Sequence, residues 1–498
     1  MPSKPTTRWQ VSGYRFLVRR MEHALVRRDV RMLHDPMRSQ TRAFSVGLIL
    51  AIIVLAGCGV LALLRPQDKI GSNKILIGKN TGAVYVQIDG VVYPTLNLAS
   101  ARLAIGESAK PATVKESELS KKPRGQLIGI PGAPTSLNYD SSGKGRTWAV
   151  CDVMANDGSR SLKTSVLAGD LSLGEKASAL PSGKALLVQG EDNVRGNRTY
   201  LVYDNQRAEV DTNVRAVADA LGIRDLTARP MSKGLLNAIP EAPAIKVPEI
   251  ANAGAAPSGY SLGDHRIGDV VEVRTDGSAY VVLGDGLQPV SELTAEIIRN
   301  QYPSTAADTT ISQADRTRAP VSSALQIGTY PVKAPAIVDS KDQPVDCFSW
   351  KPINTSDTSE GTKHAELTLL TGHAIPIPDK AKLVALAQAD GNGPEVDSFY
   401  IKPGAGAYFQ STGMAVDSTR RDSLYFLSDY GVRYGIKNLE SAKALGMDPD
   451  SVTPEPAPWA IVGLLPDGPV LSREAAKVAH DGVAPDPNPA DEPIKTDN

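Results

Sequence analysis

The chain has 498 residues, of which 41% are hydrophobic and 22% charged, and its formal net charge at neutral pH is −1. This composition is typical of globular proteins and excludes a wholly disordered or collagen-like chain, while the length allows several modules. The charge is unevenly distributed, because residues 1–42 carry a net charge of +7, which leaves −8 for the rest. This asymmetry predicts that the two parts of the chain lie in different environments.

The basic N-terminal segment, residues 1–42, has the pattern of an amphipathic helix between Ser12 and Leu33, before a break at Asp35-Pro36. Arginines occupy the faces between its apolar positions, which are Leu17, Val18, Met21 and Leu25. Such a helix can lie on a membrane surface or dock on a cytoplasmic partner, and the sequence leaves both uses open.

Residues 43–64 contain no charged side chain. As a helix they would span roughly 33 Å, which matches the hydrocarbon core of a bilayer. The basic flank lies on the N-terminal side, so the positive-inside rule keeps the N-terminus in the cytoplasm and exports residues 65–498. A lipoprotein signal cleaved before Cys58 is the alternative, but the apolar run continues beyond that cysteine.

Only two other cysteines occur, Cys151 and Cys347, both in the exported part. Two thiols far apart in the sequence of an exported domain favour one long-range disulfide. Two buried free thiols are the alternative. A metal site is not indicated, because neither cysteine has a second cysteine or a histidine at ligand spacing.

The exported part contains a weak internal repeat. Each copy has an aromatic, β-prone run, then a turn such as Asp89-Gly90 or Asp285-Gly286, a second short run and an Ala/Leu-rich helical stretch. Such a unit cannot bury its apolar face alone, so the copies are expected to pack on each other or on a shared core. The repeats lie near residues 74–110, 182–224, 265–300 and 391–449.

Motifs for catalysis are missing from the sequence. No segment fits the phosphate-binding pattern GxxxxGK[ST]; the nearest, around Gly78-Lys79, Gly143-Lys144-Gly145 and Gly183-Lys184, are expected to be turns. No GxSxG or HExxH pattern occurs either. The exported part is acidic and has no basic–aromatic patch, so nucleic acid is not expected as a partner.

Several segments resemble the EccB family of type VII (ESX) secretion systems. They include QVSGYRFLVRR at the start, RGQLIGIPGAP at 124–134, WAVCD at 148–152, YVVLGDGLQPV at 280–290 and GPVLSREAA at 468–476. The resemblance implies an actinobacterial inner-membrane protein that joins EccC, EccD and EccE in the core complex. It also implies periplasmic dimerisation, repeat domains around a central domain, and a disulfide whose matching cysteines are Cys151 and Cys347.

The expected architecture is α+β, with one N-terminal transmembrane helix and an extracytoplasmic domain of about four hairpin–helix repeats around a mixed central domain. Residues 65–482 form the periplasmic domain, and 483–498 are expected to be a disordered tail. The expected function is a structural subunit of the secretion core complex, with no catalytic residue, metal or cofactor. The alternatives are an ATP hydrolase, since family members have been described as ATPases, and a cell-wall-binding protein.

Overall fold

Two helices precede the folded domain in the computed structural model of the chain, which describes residues 7–31, 36–64, 69–141, 145–155, 157, 159–192, 196–353, 363–391 and 393–482. Helix α1 (Arg8–Arg27) is basic and amphipathic. It ends at Arg28, whose φ of 54° is left-handed, so the helix stops short of the expected end near Leu33. The predicted tail, 483–498, lies outside the described residues.

Helix α2 (Pro36–Leu64) contains the predicted span and begins seven residues before it. Proline is favoured at the first position of a helix, so Pro36 starts this helix besides interrupting the preceding segment. The stretch Ser39–Leu61 is long and apolar enough to cross a membrane, and none of its most apolar window is buried in the protein. The helix ends directly before Arg65-Pro66, where proline disfavours helical geometry.

The first half of the exported domain contains two repeats and three strands of a central sheet. Repeat 1 comprises β1 (Ile75–Gly78), β2 (Val84–Ile88), β3 (Val91–Thr95), α3 (Leu98–Ile105), β4 (Ala112–Val114), α4 (Glu116–Leu119) and β5 (Leu127–Ile128). The central strands are β6 (Trp148–Met154), β7 (Leu162–Ala168) and β8 (Ala177–Ala179). Repeat 2 comprises β9 (Lys184–Asp192), β10 (Gly196–Tyr203), β11 (Gln206–Val210), α5 (Arg215–Ala220), β12 (Arg229–Pro230), α6 (Lys233–Ala238) and β13 (Glu241–Ile245).

The second half follows the same plan. Repeat 3 comprises β14 (Val270–Val273), β15 (Ala279–Val282), β16 (Leu287–Pro289), α7 (Glu292–Gln301), β17 (Thr310–Ile311) and α8 (Gln313–Arg318). The short strand β18 (Ala336–Ile337) precedes the central strands β19 (Val345–Pro352), β20 (Ala365–Gly372), β21 (Val384–Ala385) and β22 (Ser398–Ile401). Repeat 4 comprises β23 (Ala407–Thr412), β24 (Leu424–Leu427), β25 (Arg433–Ile436), α9 (Leu439–Leu445), β26 (Glu455–Pro458) and α10 (Trp459–Val462), and the last elements are α11 (Arg473–Ala476) and β27 (Ala479–His480).

All four repeats share one topology that is larger than the predicted hairpin–helix unit. Three antiparallel strands are followed by a helix, and the next strand returns to pair in parallel with the first: β4 with β1, β12 with β9, β17 with β14 and β26 with β23. A second short helix then leads to a segment that pairs in parallel with the third strand, as β5 does with β3 and β13 with β11. In repeats 3 and 4 this last pairing is reduced to isolated bridges. Each repeat is therefore a sheet with five strand positions, and the chain crosses that sheet twice through helical connections.

Turn and cap residues explain why these elements form where the pattern predicted them. Asp89 and Gly90 both have positive φ, 49° and 82°, as a primed two-residue hairpin turn requires. The first helices of repeats 1 and 4 each begin at an asparagine side chain that accepts a backbone N–H, and each ends at a left-handed glycine. These caps are Asn97 with Gly106 and Asn438 with Gly446.

The sheet of each repeat is buried on both faces, because its two helices lie on opposite sides. In repeat 1, Ile75 and Val86 pack in the cluster that contains α3. Their neighbours Leu76 and Tyr85 point the other way and pack with Leu119 of α4. The same alternation separates two clusters in each of the other three repeats.

The central sheet has seven strands in the order β21-β22-β7-β6-β19-β20-β8. The helices α6 of repeat 2 and α10 of repeat 4 pack on one of its faces, around Trp148, Phe348 and Trp350. The first helices pair the repeats with each other, α3 with α9 and α5 with α7. Repeats 1 and 4 thus form one pair, repeats 2 and 3 form another, and both pairs are attached to the shared sheet. The expected α+β architecture is confirmed, including both of the packing arrangements that the sequence allowed.

Candidate functional site

The residues Cys151 and Cys347 lie at the middle of the central sheet. They face each other across the antiparallel strands β6 and β19 and form a disulfide with an S–S distance of 2.04 Å and a Cα–Cα distance of 4.0 Å. Both are fully buried, in a small apolar cluster with Leu167 and Leu370. The bond joins residues 196 positions apart, and so connects the half of the domain that carries repeats 1 and 2 to the half that carries repeats 3 and 4.

Two buried aspartates lie beside the disulfide but on the opposite face of the sheet. Asp152 and Asp346 follow and precede the cysteines, and they are direct partners in the register of β6 and β19. Arg229 of β12 donates from Nη1 to both carboxylate oxygens of Asp346, each at 2.9 Å. The same guanidinium donates to the backbone carbonyls of Gln343 and Val338. This ion pair attaches repeat 2 to the central sheet, and both of its side chains are buried.

Asp152 has neutral donors in place of an arginine. Its carboxylate accepts the Thr164 hydroxyl at 2.9 Å and the backbone N–H of Ser232 at 2.6 Å. Burial, with the nearby Asp346, raises the pKa of Asp152 to about 6, although the hydrogen bonds from Ser232 and Thr164 oppose that rise. Ser232 in turn caps α6 by accepting the N–H of Leu235, so the network connects β6 to the helix that covers it.

The structure does not form a phosphate cradle at the described glycine–lysine segments. Gly78-Lys79 ends strand β1 and turns into β2, and Gly183-Lys184 leads into β9. A phosphate site needs such a loop to open a helix, whose first N–H groups then face the anion. The third segment includes residues 143 and 144, which lie outside the described residues.

A further charged pair joins the central sheet to repeat 4. Arg146 and Glu455 form a largely buried ion pair of 2.8 Å between the central sheet and repeat 4. They line a cavity of about 440 Å³ together with Asp170 and Lys402. No group of three or more His, Cys, Asp or Glu residues that could hold a metal ion occurs in the regions the structure describes.

Sequence reasoning selected the two cysteines and missed Arg229, which lies 117 positions before its partner Asp346. A signal was nevertheless present, because an aspartate adjoins each cysteine in mirrored order, Cys151-Asp152 and Asp346-Cys347. A buried strand places such neighbours on opposite faces, and a buried carboxylate requires a charged or hydrogen-bonding partner.

These features define a class of protein: a membrane-anchored scaffold whose extramembrane domain is built from paired repeats on a disulfide-bonded sheet. A family model described as "Type VII secretion system ESX-1, transport TM domain B" matches residues 3–485. The chain belongs to this EccB family of type VII secretion membrane proteins.

Relatives and solved structures agree with that assignment. The chain is 38% identical to the "ESX-3 secretion system ATPase EccB3" of Mycobacterium tuberculosis H37Rv, covering 97% of this chain and 91% of the relative. It is also 38% identical to the "ESX-1 secretion system ATPase EccB1" of the same strain, covering 97% of both chains. A chain in an intact ESX-5 inner membrane complex matches with a TM-score of 0.75 at 31% identity, covering 99% of each chain. A chain of an EccB3 dimer from the ESX-3 core complex matches with a TM-score of 0.68 at 34% identity, covering 82% of this chain and all of the other.

Proposed function

We propose that the chain is a structural subunit of a type VII (ESX) secretion core complex in the inner membrane. Its basic N-terminal segment lies in the cytoplasm, α2 crosses the membrane once, and the repeat domain stands in the periplasm. There it pairs with a second copy and assembles with the EccC, EccD and EccE subunits that the family resemblance implies. The role is mechanical: a fixed frame on one side of the membrane and an anchor on the other.

The observation that carries this proposal is the way the repeats close on one another. Repeat pairs 1–4 and 2–3 bury their first helices together, and the second helices of repeats 2 and 4 are fixed to the sheet that holds Cys151 and Cys347. Such a domain leaves few hinges of the kind that move enzyme lids, because its cores are close-packed. A rigid body on a single span suits a load-bearing subunit.

Pairing with a second copy is supported by the solved relatives, one of which is described as an EccB3 dimer and matches all of its length to this chain. The test is the mass of the full chain reconstituted in nanodiscs, measured by mass photometry over a range of concentrations. We expect two copies per disc at nanomolar protein. A single copy at every concentration would contradict the dimeric frame.

The orientation is tested with single cysteines in a chain that carries Cys58→Ala. Thr275 lies in the repeat domain and Ser12 in α1, and both are exposed. A membrane-impermeant maleimide added to intact cells should label Thr275→Cys but label Ser12→Cys only after lysis. Labelling of both, or of Ser12→Cys alone, would reverse or abolish the proposed topology.

ATP hydrolysis is the second candidate, because the relatives carry the word ATPase in their names. The geometry does not favour it, since Lys79 lies in the turn from β1 to β2 and Lys184 is the first residue of strand β9. We expect the purified full chain to hydrolyse ATP at the rate of a mock purification, and Lys79→Ala and Lys184→Ala to leave that rate unchanged. Hydrolysis that copurifies with the chain and is lost in one of these variants would establish an enzyme.

A further inference from the structure

The second short helix of repeat 1 differs from its counterparts in repeats 2 and 4. Helices α6 and α10 bury apolar side chains such as Leu236 and Ile461 against the central sheet. Helix α4 has the sequence ESEL and buries only Leu119; Ser117 is exposed, and Glu116 and Glu118 are half-buried. The repeat topology thus presents at α4 a face that no other part of the described domain covers.

The chain itself places this face next to the membrane. Ile70 is buried and packs in the same cluster as Leu119, so the segment that leaves α2 docks beside α4. Five peptide units separate Leu64, the last residue of α2, from Lys69, so their Cα atoms lie within about 18 Å of each other. No other repeat is tethered to the membrane by so short a connection.

Basic side chains gather on this face. The hydrogen bond from Lys121, with smaller contributions from the charges of Lys69 and Lys115, lowers the pKa of Glu118. Lys121 forms an exposed ion pair with Glu118 at 2.6 Å. We call these three lysines, together with the basic residues that directly follow α4 in the sequence, Lys122 and Arg124, the α4 basic patch.

Only two carboxylates, Glu116 and Glu118, lie within residues 115–124, and both are engaged: Glu118 by Lys121, and Glu116 by the backbone. Glu116 accepts the backbone N–H groups of Asn80 and Thr81, at 2.8 and 3.1 Å, and so stabilises the β1–β2 turn. Four cations against two acids within residues 115–124 give the patch a positive field, whereas residues 43–498 as a whole carry −8. A field of that sign at that place is complementary to an anionic bilayer.

We propose that the α4 basic patch binds the anionic phospholipid headgroups of the membrane that α2 spans. The binding fixes repeat 1 against the bilayer surface and sets the tilt of the periplasmic domain, whose remaining acidic surface is repelled from the same lipids. This inference deepens the proposed function and rests on α2 being a membrane span.

The strength of such contacts is predictable. Each lysine or arginine close to an anionic surface strengthens association about five-fold, and the effect decays within a Debye length. That length is about 10 Å at 0.1 M salt and about 4 Å at 0.5 M. Contact through the patch should therefore depend both on the charge of the lipid and on ionic strength.

The test is hydrogen exchange of the full chain in nanodiscs of phosphatidylcholine alone or with 30% phosphatidylglycerol. The variant is Lys115→Gln/Lys121→Gln/Arg124→Gln. Its matched control removes three exposed lysines far from α2 in the sequence, as Lys341→Gln/Lys380→Gln/Lys382→Gln. We expect amides of residues 115–124 to exchange at least about five-fold more slowly in the anionic discs at 0.1 M salt.

The protection should disappear at 0.5 M salt and in the patch variant, and remain in the control variant. Equal exchange in the two kinds of disc would overturn the proposal, as would protection that survives in the patch variant. The mass of the particle is recorded in the same discs. A dimer without lipid-dependent protection would contradict the lipid contact but not the dimeric scaffold. A monomer with lipid-dependent protection would contradict the dimeric scaffold but not the lipid contact.

Discussion

Arg229 and Asp346 form a fully buried, doubly hydrogen-bonded ion pair between repeat 2 and the central sheet. Arg229→Met removes the cation and leaves the Asp346 carboxylate without its partner, so the free energy of unfolding should fall by about 3–5 kcal/mol. Urea unfolding of the full chain, followed by tryptophan fluorescence, measures the loss. The control is Arg274→Met, which breaks an exposed pair with Asp308 and should cost less than about 1 kcal/mol. Equal losses in the two variants would mean that the buried pair does not fix the repeat.

The carboxyl of Asp152 predicts a stability change in mildly acidic solution. Its pKa is about 6 in the folded chain, above the usual value near 4, so the folded state binds a proton more tightly than the unfolded state. Stability should therefore decrease as the pH rises from about 4 to about 6 and should not change further above that range through this group. The contribution amounts to about 3 kcal/mol across the window.

Unfolding free energies of the wild type and of Asp152→Asn, measured between pH 4 and pH 7, isolate this effect. The asparagine cannot ionise, so the curve of the variant should be flatter in that range. Asp225→Asn, at an exposed position, should follow the wild type. Parallel curves for wild type and Asp152→Asn would refute the assignment.

The disulfide should contribute substantially to the stability of the exported domain. Closing a loop of 196 residues stabilises a fold by about 5 kcal/mol in the chain-entropy account. Cys151→Ala/Cys347→Ala should lower the melting temperature of the full chain substantially, whereas Cys58→Ala, in the span, should not. Non-reducing peptide mapping of the chain from membranes should recover the Cys151–Cys347 crosslink. Recovery of two free thiols would contradict the disulfide and its contribution to the stability of the domain.

Two glycines in equivalent turns should respond differently to a methyl group. Gly90 and Gly431 both have positive φ, at 82° and 91°. A Cβ on Gly90 meets nothing within 4 Å, whereas a Cβ on Gly431 lies 2.9 Å from side-chain atoms of Leu386 and Phe399. Gly90→Ala should cost only the backbone strain, about 1–2 kcal/mol, and Gly431→Ala should add about 1–3 kcal/mol of overpacking. Thermal unfolding of the two variants side by side gives the difference. Equal losses of stability in the two variants would show that the Gly431 turn of repeat 4 is not closely packed against the central sheet.

The hairpin and first helix of each repeat could be predicted because their signals are local. Turn residues such as Asp89-Gly90 and the cap pair Asn97 with Gly106 determine the backbone within a few positions. The second half of each repeat could not be predicted in the same way. Its elements are short: strands β12 and β17 have two residues each, and helices α4 and α10 have four, too few for a hydrophobic period to appear.

The same distinction applies to the site. Counting cysteines was enough to propose that Cys151 and Cys347 pair, because an exported chain offers few alternatives. The partner of Asp346 is set by how β12 lies on the sheet, which depends on contacts across more than a hundred residues. Local patterns carry no information about such contacts, so the buried charge network became visible only in the fold.

The last described elements close the first repeat: β27 pairs with β5, and α11 packs against α3, whose other helical neighbour is α9. Because the exported part is translocated in order from the membrane span onward, repeat 1 reaches the far side first and these partners reach it last. The α3 face of repeat 1 therefore stays uncovered until almost the whole domain has been translocated, because contacts so distant in sequence form late. During that interval the newly exported chain is open to wrong associations, and a truncation before Leu439, which removes both α9 and α11, would leave the α3 face permanently uncovered.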